Sequence, residues 1–279
     1  MPKKLMHKNT EVCSLFFKKT GTLEAIKNVK VPELLFGGHN EEEATAKMRR
    51  WFIMRHLPYR RNDIHELLNF YNKEMFLPED ATERSLSDNY WIKTTDEQCW
   101  ENINAFDNWE SDEDDIIRAV FRPEEFVGAN GDSPNFTLPG AQERFWITHP
   151  DGRLGLANKA AHFESIIKRT AIEQGVSDIL ASREFLVFAQ NILIFTPTQT
   201  SQNIESISLD SLYFSLDTLS DSKMENLAAC CETYGLNNWM DFFRKMSILD
   251  SQCDRDRDLN DIAILRDANT LKYLSFALL

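Results

Sequence analysis

Asp256-Arg257-Asp258-Leu259-Asn260-Asp261-Ile262-Ala263-Ile264-Leu265-Arg266-Asp267 is the stretch on which the reading of this chain turns. Carboxylates and one amide crowd a short polar turn, and an apolar run, Ile262 to Leu265, follows at once. The run reads as a strand and the turn as its polar approach. Phosphoryl transfer can use such a layout: one Asp accepts a hydroxyl proton, and an Asn or Asp a few residues on holds Mg²⁺. The competing reading is a solvated acidic loop ahead of an edge strand, because charge runs usually face water.

The chain around this stretch has 279 residues and a mass of 32.4 kDa, enough for one large domain or two smaller ones. Its hydrophobic content of 42% and aromatic content of 11% describe a folded globular protein. A formal net charge of -13 argues against broad contact with a nucleic-acid backbone or an anionic membrane, since both call for a basic face. No apolar run approaches the ~18 residues of a membrane span, and Met1 to Met6 lacks the apolar core of a secretion signal. The five cysteines are odd in number and have no zinc-knuckle spacing, which points to reduced thiols in a cytoplasm. Cys230-Cys231 falls in a predicted helix, Met224 to Tyr234, as packing.

Upstream, residues 11–37 read as short strands and turns. Asn40 is a helix N-cap, and Glu41-Glu42-Glu43 place negative charge on the positive end of the helix that follows. That helix puts Met48, Trp51 and Phe52 on one face and ends near Pro58. A second helix runs from Ile64 to Met75, capped by Asn62 or Asp63, with Leu67, Leu68 and Tyr71 inward. Ser85 to Lys93 and Trp100 to Asn108 form a polar segment packed on Trp91, Trp100 and Trp109. The loop-rich residues 123–135 mark a boundary between an N-terminal module and the main domain.

Beyond the boundary, Thr137 to Glu143 is a turn. Arg144 to Thr148 and Leu154 to Ala157 are strands joined at Pro150-Asp151-Gly152. A small-residue turn beside a strand lets backbone N–H groups approach a phosphate, although a single Gly also suits a plain turn. Lys159 and Glu164 lead into a predicted helix, Phe163 to Gln174. Strand Lys and helix Glu is an order that kinases use to orient nucleotide phosphates, and a surface pair is the alternative. Glu184 to Thr196 is apolar enough for a buried strand pair or a buried helix. Ser201 to Ser222 reads as short helices, and Trp239 to Leu249 as an amphipathic helix leading to the acidic turn.

Taken together, these segments resemble the HipA-like family of bacterial Ser/Thr protein kinases in its compact Gram-positive form. The pieces, in family order, are Trp51-x3-Arg55-x-Leu57-Pro58-x-Arg60, then Ser85 to Lys93 (close to SLSDQYWIK), then Trp100 to Asn108 (close to WENVNFFDN). Ser133-Pro134 before the Gly140 turn, Gly235-Leu236 with the helix ending at Leu249-Asp250, and the final block (family DRHxNNFGVxRD) complete them. The resemblance implies an α+β, protein-kinase-like bilobal fold. Residues 1–125 would be an N-terminal mixed α/β module, and residues 126–279 a kinase-like N-lobe with an incomplete, mostly helical C-lobe. It implies Asp256 as catalytic base and Asp261 as Mg²⁺ ligand. It places Thr137, Gly140, Ala141 and Gln142 in the phosphate loop, Lys159 or its neighbour Asn158 at the nucleotide-lysine position, and Glu164 as the helix Glu.

The departures from the family are Asp258 for its His, Asp261 for its Asn, Ala263 for its Gly, and a shortened Lys-to-Glu segment. The sequence also stops at Leu279, where the family continues into a second metal-binding Asp. Loss of such a charge-stabilising group costs several kcal/mol of transition-state stabilisation. The expectation is therefore a cytoplasmic, catalytically impaired kinase or pseudokinase that binds ATP, Mg²⁺ or a protein partner, with no nucleic acid or membrane contact. The alternatives are an active Ser/Thr kinase whose missing ligand comes from elsewhere, such as a second chain, and a non-nucleotide protein that neutralises a toxin partner. An unfinished lobe would leave apolar surface around Phe276, Leu278 and Leu279, which predicts association with a second copy or a partner chain.

Overall fold

The computed structural model describes residues 2–36, 40–55, 64–70, 85–112, 114, 134–137, 144–159, 172–176, 184–188, 191–213, 222–253 and 262–278. It is an α+β structure in which every strand pair among these residues is antiparallel. The first strands are β1 (Lys3–His7), β2 (Thr10–Phe17) and β3 (Leu23–Lys27), followed by helices α1 (Glu41–Arg55) and α2 (Ile64–Phe70). Then come β4 (Tyr90–Lys93) and two single-turn helices, α3 (Trp100–Ile103) and α4 (Ala105–Asn108). β4 returns to pair with β1, giving the sheet order β3-β2-β1-β4.

One face of this sheet carries Leu5, Cys13, Leu15, Ile26 and Ile92, all at or near full burial. They pack in one cluster with a stripe on α1, Ala44, Met48, Trp51 and Phe52, at the spacing that keeps residues on one side of a helix. Each large side chain buried in this way contributes roughly 1.5–3 kcal/mol. α1 is also tied to the sheet edge by polar bonds. Arg49 donates to the Leu23 and Glu24 carbonyls, and the Thr45 hydroxyl oxygen accepts from the Ile26 N–H. The Asn40 cap expected from sequence is present: its side-chain oxygen accepts from the N–H groups of Glu42 and Glu43 at 3.1 and 3.0 Å. Asn40→Ala is expected to cost about 1 kcal/mol, read as a lower urea midpoint. An unchanged midpoint would mean the cap bonds merely replace water.

The next sheet contains β5 (Arg144–Thr148), β6 (Leu154–Lys159), β7 (Glu184–Phe188) and β8 (Asn191–Pro197), in the order β5-β6-β8-β7. Its first hairpin turns through Asp151-Gly152, where Gly152 has φ +85 and an L side chain would be strained. Residues 184–188 and 191–197 are thus a strand pair, which settles the choice between strands and helix. Val187, on edge strand β7, is well exposed.

The remaining elements are β9 (Ile204–Ser208), α5 (Leu209–Tyr213), α6 (Lys223–Thr233), α7 (Trp239–Cys253), β10 (Ile262–Asp267) and β11 (Tyr273–Leu278). β9 corrects the expectation of short helices throughout residues 201–222. Its alternation was masked because the inward positions are Glu205 and Ile207, one of them charged. β10 lies between β11 and β9, so the strand after the acidic turn is central and not an edge strand. Phe276 of β11 stacks on Phe242 of α7 with ring centroids 4.8 Å apart and also meets Phe243, so part of the apolar surface expected there is covered from within the chain. Leu274 on the same strand remains exposed.

A single hydrophobic cluster unites the first sheet and α1 with Ile207, Leu209, Leu212, Leu227, Cys230, Cys231, Phe242, Ile262 and Ile264. Residues from the two ends of the sequence therefore share a core. Burial pushes the Cys230 and Cys231 thiols up to about 12, which keeps them protonated and makes them packing residues, as expected. Among the described residues no helix is long and apolar enough to cross a membrane.

Candidate functional site

Among the described residues, the largest concentration of buried charge lies where β1, β4, β9 and β10 converge. Its centre is Glu205, which has no exposed surface. Register places Glu205 directly opposite Arg266 on the neighbouring strand β10. Arg266 donates to Glu205 Oε2 from Nε at 3.0 Å and from a terminal nitrogen at 2.6 Å. Oε1 accepts from His7 Nε2 at 2.7 Å and from both the backbone and side-chain amides of Asn89 at 2.9 Å. Every oxygen of the carboxylate thus faces N–H donors.

A second ion pair adjoins the first. Arg55, at the end of α1, grips Asp88 in a fork, with Nε and a terminal nitrogen each 2.9 Å from a carboxylate oxygen. The same guanidinium donates to the Tyr90 carbonyl and lies over the Trp51 ring. Such bidentate pairs are stronger and more directional than single contacts. Tyr90 links the two pairs: its hydroxyl accepts from Arg266 at 3.2 Å and donates to the Leu34 carbonyl at 3.0 Å. The Asp88 side chain also accepts from the Tyr90 N–H, and the Ser85 hydroxyl oxygen accepts from Ser87 and Asp88.

Burial pushes the Glu205 carboxyl up, but the Arg266 charge and the His7 contact outweigh it, and the group ionises well below the usual carboxylate range. Burial disfavours the Arg266 charge, yet its Tyr90 and Glu205 neighbours hold it firmly protonated. Burial raises the Tyr90 hydroxyl above its ordinary value and keeps it neutral. A carboxylate saturated by donors and locked in the ionised state is a poor general base and a poor metal ligand. The cluster is therefore built to fix geometry. It pins β10, whose first residue Ile262 follows the acidic stretch in sequence, to the N-terminal sheet. The Asn89 side-chain oxygen is fully buried with no hydrogen-bond partner among the described residues. Glu205 already takes the other end of that amide.

Of the residues singled out from sequence, Asp256, Asp261, Gly140, Ala141, Gln142 and Glu164 lie outside the described residues. Thr137 ends a 3-10 turn, Pro134–Thr137, that precedes β5 in the chain; it is buried, and its hydroxyl donates to the Pro134 carbonyl at 3.0 Å. Lys159 is the last residue of β6, paired in register with Leu193 of β8. Lys159 is thus on the sheet that begins at β5, whereas Thr137 lies in the turn that precedes it in the chain. Among the described residues no group of three or more His, Cys, Asp or Glu side chains is arranged to hold a metal ion.

Sequence reasoning missed His7 and Glu205, and it used Arg55, Asp88 and Arg266 only as letters of motifs. No alternation marked Glu205, because in Ile204-Glu205-Ser206-Ile207-Ser208 the inward positions are Glu205 and Ile207. No protein-family model matches the chain, and no curated protein matches it.

Proposed function

We propose that this chain is a kinase-fold protein of HipA-like type, with a bilobal arrangement, that acts as a nucleotide- or protein-binding regulator with impaired phosphotransfer. The observation that supports this reading is the meeting of three separated motif blocks in one buried network. Arg55 comes from the first block, Asp88, Asn89 and Tyr90 from the second, and Arg266 from the last. Residues that carry the resemblance in sequence are thus held together in space. The last block is also the one that supplies Asp256 and Asp261.

In this reading Asp261 would hold Mg²⁺, Lys159 and the Thr137 to Gln142 turn would face the nucleotide phosphates, and Asp256 would take the acceptor hydroxyl proton. Bound Mg²⁺·ATP would supply an electrophilic γ-phosphoryl group. The chain's own share is placement: β10, clamped through Arg266, fixes where the segment before it ends. Impairment follows from Asp258 and Asp261, which put two carboxylates where the family pattern has His and Asn. Extra negative charge near the phosphates opposes the charge stabilisation that phosphoryl transfer depends on.

Calorimetry of ATP with Mg²⁺ tests the nucleotide half. Asp261→Ala is expected to weaken Mg²⁺-dependent binding at least tenfold, the loss expected when about 1.4 kcal/mol of metal-mediated contact is removed. A transfer assay with Asp256→Ala then separates weak kinase from pseudokinase. Absence of binding at about millimolar ATP, a level at which even a weak site of about −4 kcal/mol is half-filled, would remove the nucleotide reading and leave a protein-binding scaffold.

A further inference from the structure

The acidity of the chain is unevenly spread. Residues 1–30 hold seven lysines and two glutamates, while the whole carries a net -13. Strand register gathers part of this positive charge into a line. Lys27 of β3 pairs with Ser14 of β2, Ser14 with Lys4 of β1, and Lys4 with Lys93 of β4. Residues directly opposite one another point to the same side of a sheet. This side is opposite to the one carrying Leu5, Cys13 and Leu15, so the row crosses the outer face from edge to edge. Helices α3 and α4 cover the neighbouring part of that face, where Met6 and Trp91 pack with Trp100 and Ile103. They leave the row itself open: Lys4 and Lys27 are exposed and Lys93 is partly so. Lys30 adds a further exposed cation, and Glu11 lies between Lys30 and Lys4 at 2.9 and 3.5 Å. Glu97 is a second carboxylate near the row, beside Lys93.

We infer that this row is a docking surface for an extended acidic peptide segment of a protein partner. Three strand gaps separate Lys27 from Lys93, ~14 Å at the usual inter-strand spacing. An extended chain covers the same ~14 Å in four residues, with alternate side chains on one side. A Glu-x-Glu-x-Glu segment lying across the strands therefore sets a carboxylate near each end of the row and one near Lys4. A single-stranded nucleic acid fits less well. Binders of that class stack bases on several open aromatic rings, whereas Phe16, the aromatic beside the row, has Lys27 over its ring. The strongly acidic remainder of the chain also repels a long polyanion more than a short peptide.

The test is fluorescence anisotropy with two probes on the full chain, a labelled peptide of alternating glutamate and alanine and a labelled oligothymidylate. Peptide binding is expected to weaken as salt rises. It should fall roughly tenfold in the variant Lys4→Ala/Lys27→Ala/Lys93→Ala, the sum of three exposed ion pairs. The charge-matched variant Lys18→Ala/Lys19→Ala/Lys272→Ala, altered at exposed turn positions away from the row, should bind like the parent. Circular dichroism checks that both variants fold. Failure of the parent to bind the peptide, equal loss in the two variants, or tighter binding of the oligothymidylate would each overturn the inference. The inference goes beyond the nucleotide reading, and ATP·Mg²⁺ calorimetry on the row variant reports that reading separately.

Discussion

Glu205→Ala is expected to destabilise the protein by about 3–5 kcal/mol, the usual cost of removing one partner of a buried ion pair. The loss is large because the substitution strands several groups at once. Arg266, itself about 1% exposed, keeps its charge but loses two bonds, and His7 and both Asn89 amides lose their acceptor. Tyr90 still offers Arg266 its hydroxyl oxygen, which softens the effect without cancelling it. The penalty belongs to the stranded charge more than to any net value of the pair. Accordingly Glu205→Leu/Arg266→Met, which removes both charges, should lie much closer to the parent than the single change does. Urea denaturation of the three proteins decides the matter. A double variant as unstable as Glu205→Ala would mean that shape, and not charge, dominates at this site.

The same residue predicts an acid-labile fold. Its carboxyl is depressed in the folded state below the unfolded value of 4.5, so the unfolded chain binds the proton more readily. Stability from this group is complete above that value and is lost as pH falls below it. The urea midpoint of the parent should drop on going from about pH 5 to pH 3, and that of Glu205→Gln, which lacks the titrating group, should drop less. Parallel curves for the two would place the acid sensitivity elsewhere.

Gly155→Ala should cost about 3 kcal/mol, at the upper end for overpacking a dense interior. Gly155 sits in β6 between Ile147 of β5 and Pro197 of β8. A methyl group there would come to 2.5 Å from two ring carbons of Phe195 and 2.5 Å from the Thr196 carbonyl oxygen. The ring is fully buried in its own cluster with Phe145, Ile147, Ala157 and Leu193, so it has little room to turn away. The carbonyl belongs to the paired strand and moves only if the β6–β8 ladder moves. Adding Phe195→Leu should therefore recover only part of the loss, because it clears the ring and leaves the carbonyl. Full recovery would show that the strand yields more easily than close packing implies.

Much of the local structure was legible because it rests on contacts between near neighbours. The Asn40 cap with its acidic first turn, the Asp151-Gly152 hairpin and the apolar stripe of α1 each follow from residues a few positions apart. So do the helix at Cys230-Cys231 and the strand at Ile262 to Leu265. β9 was not legible, since a charged residue occupies one of its two inward positions, and partners 61 or more residues away make that position tolerable.

By itself, then, the sequence determined the α+β class, most helix starts and turns, and the motif blocks on which the kinase-like proposal rests. The tertiary structure alone decided that β10 is a central strand and that Glu205 is buried against Arg266. It also decided that lysines from three strands line up across one sheet face. The physical reason is range. Caps, turns and amphipathic stripes are set by forces acting within one or two turns of chain, whereas the cost of burying a charge is settled by whichever distant strand arrives beside it.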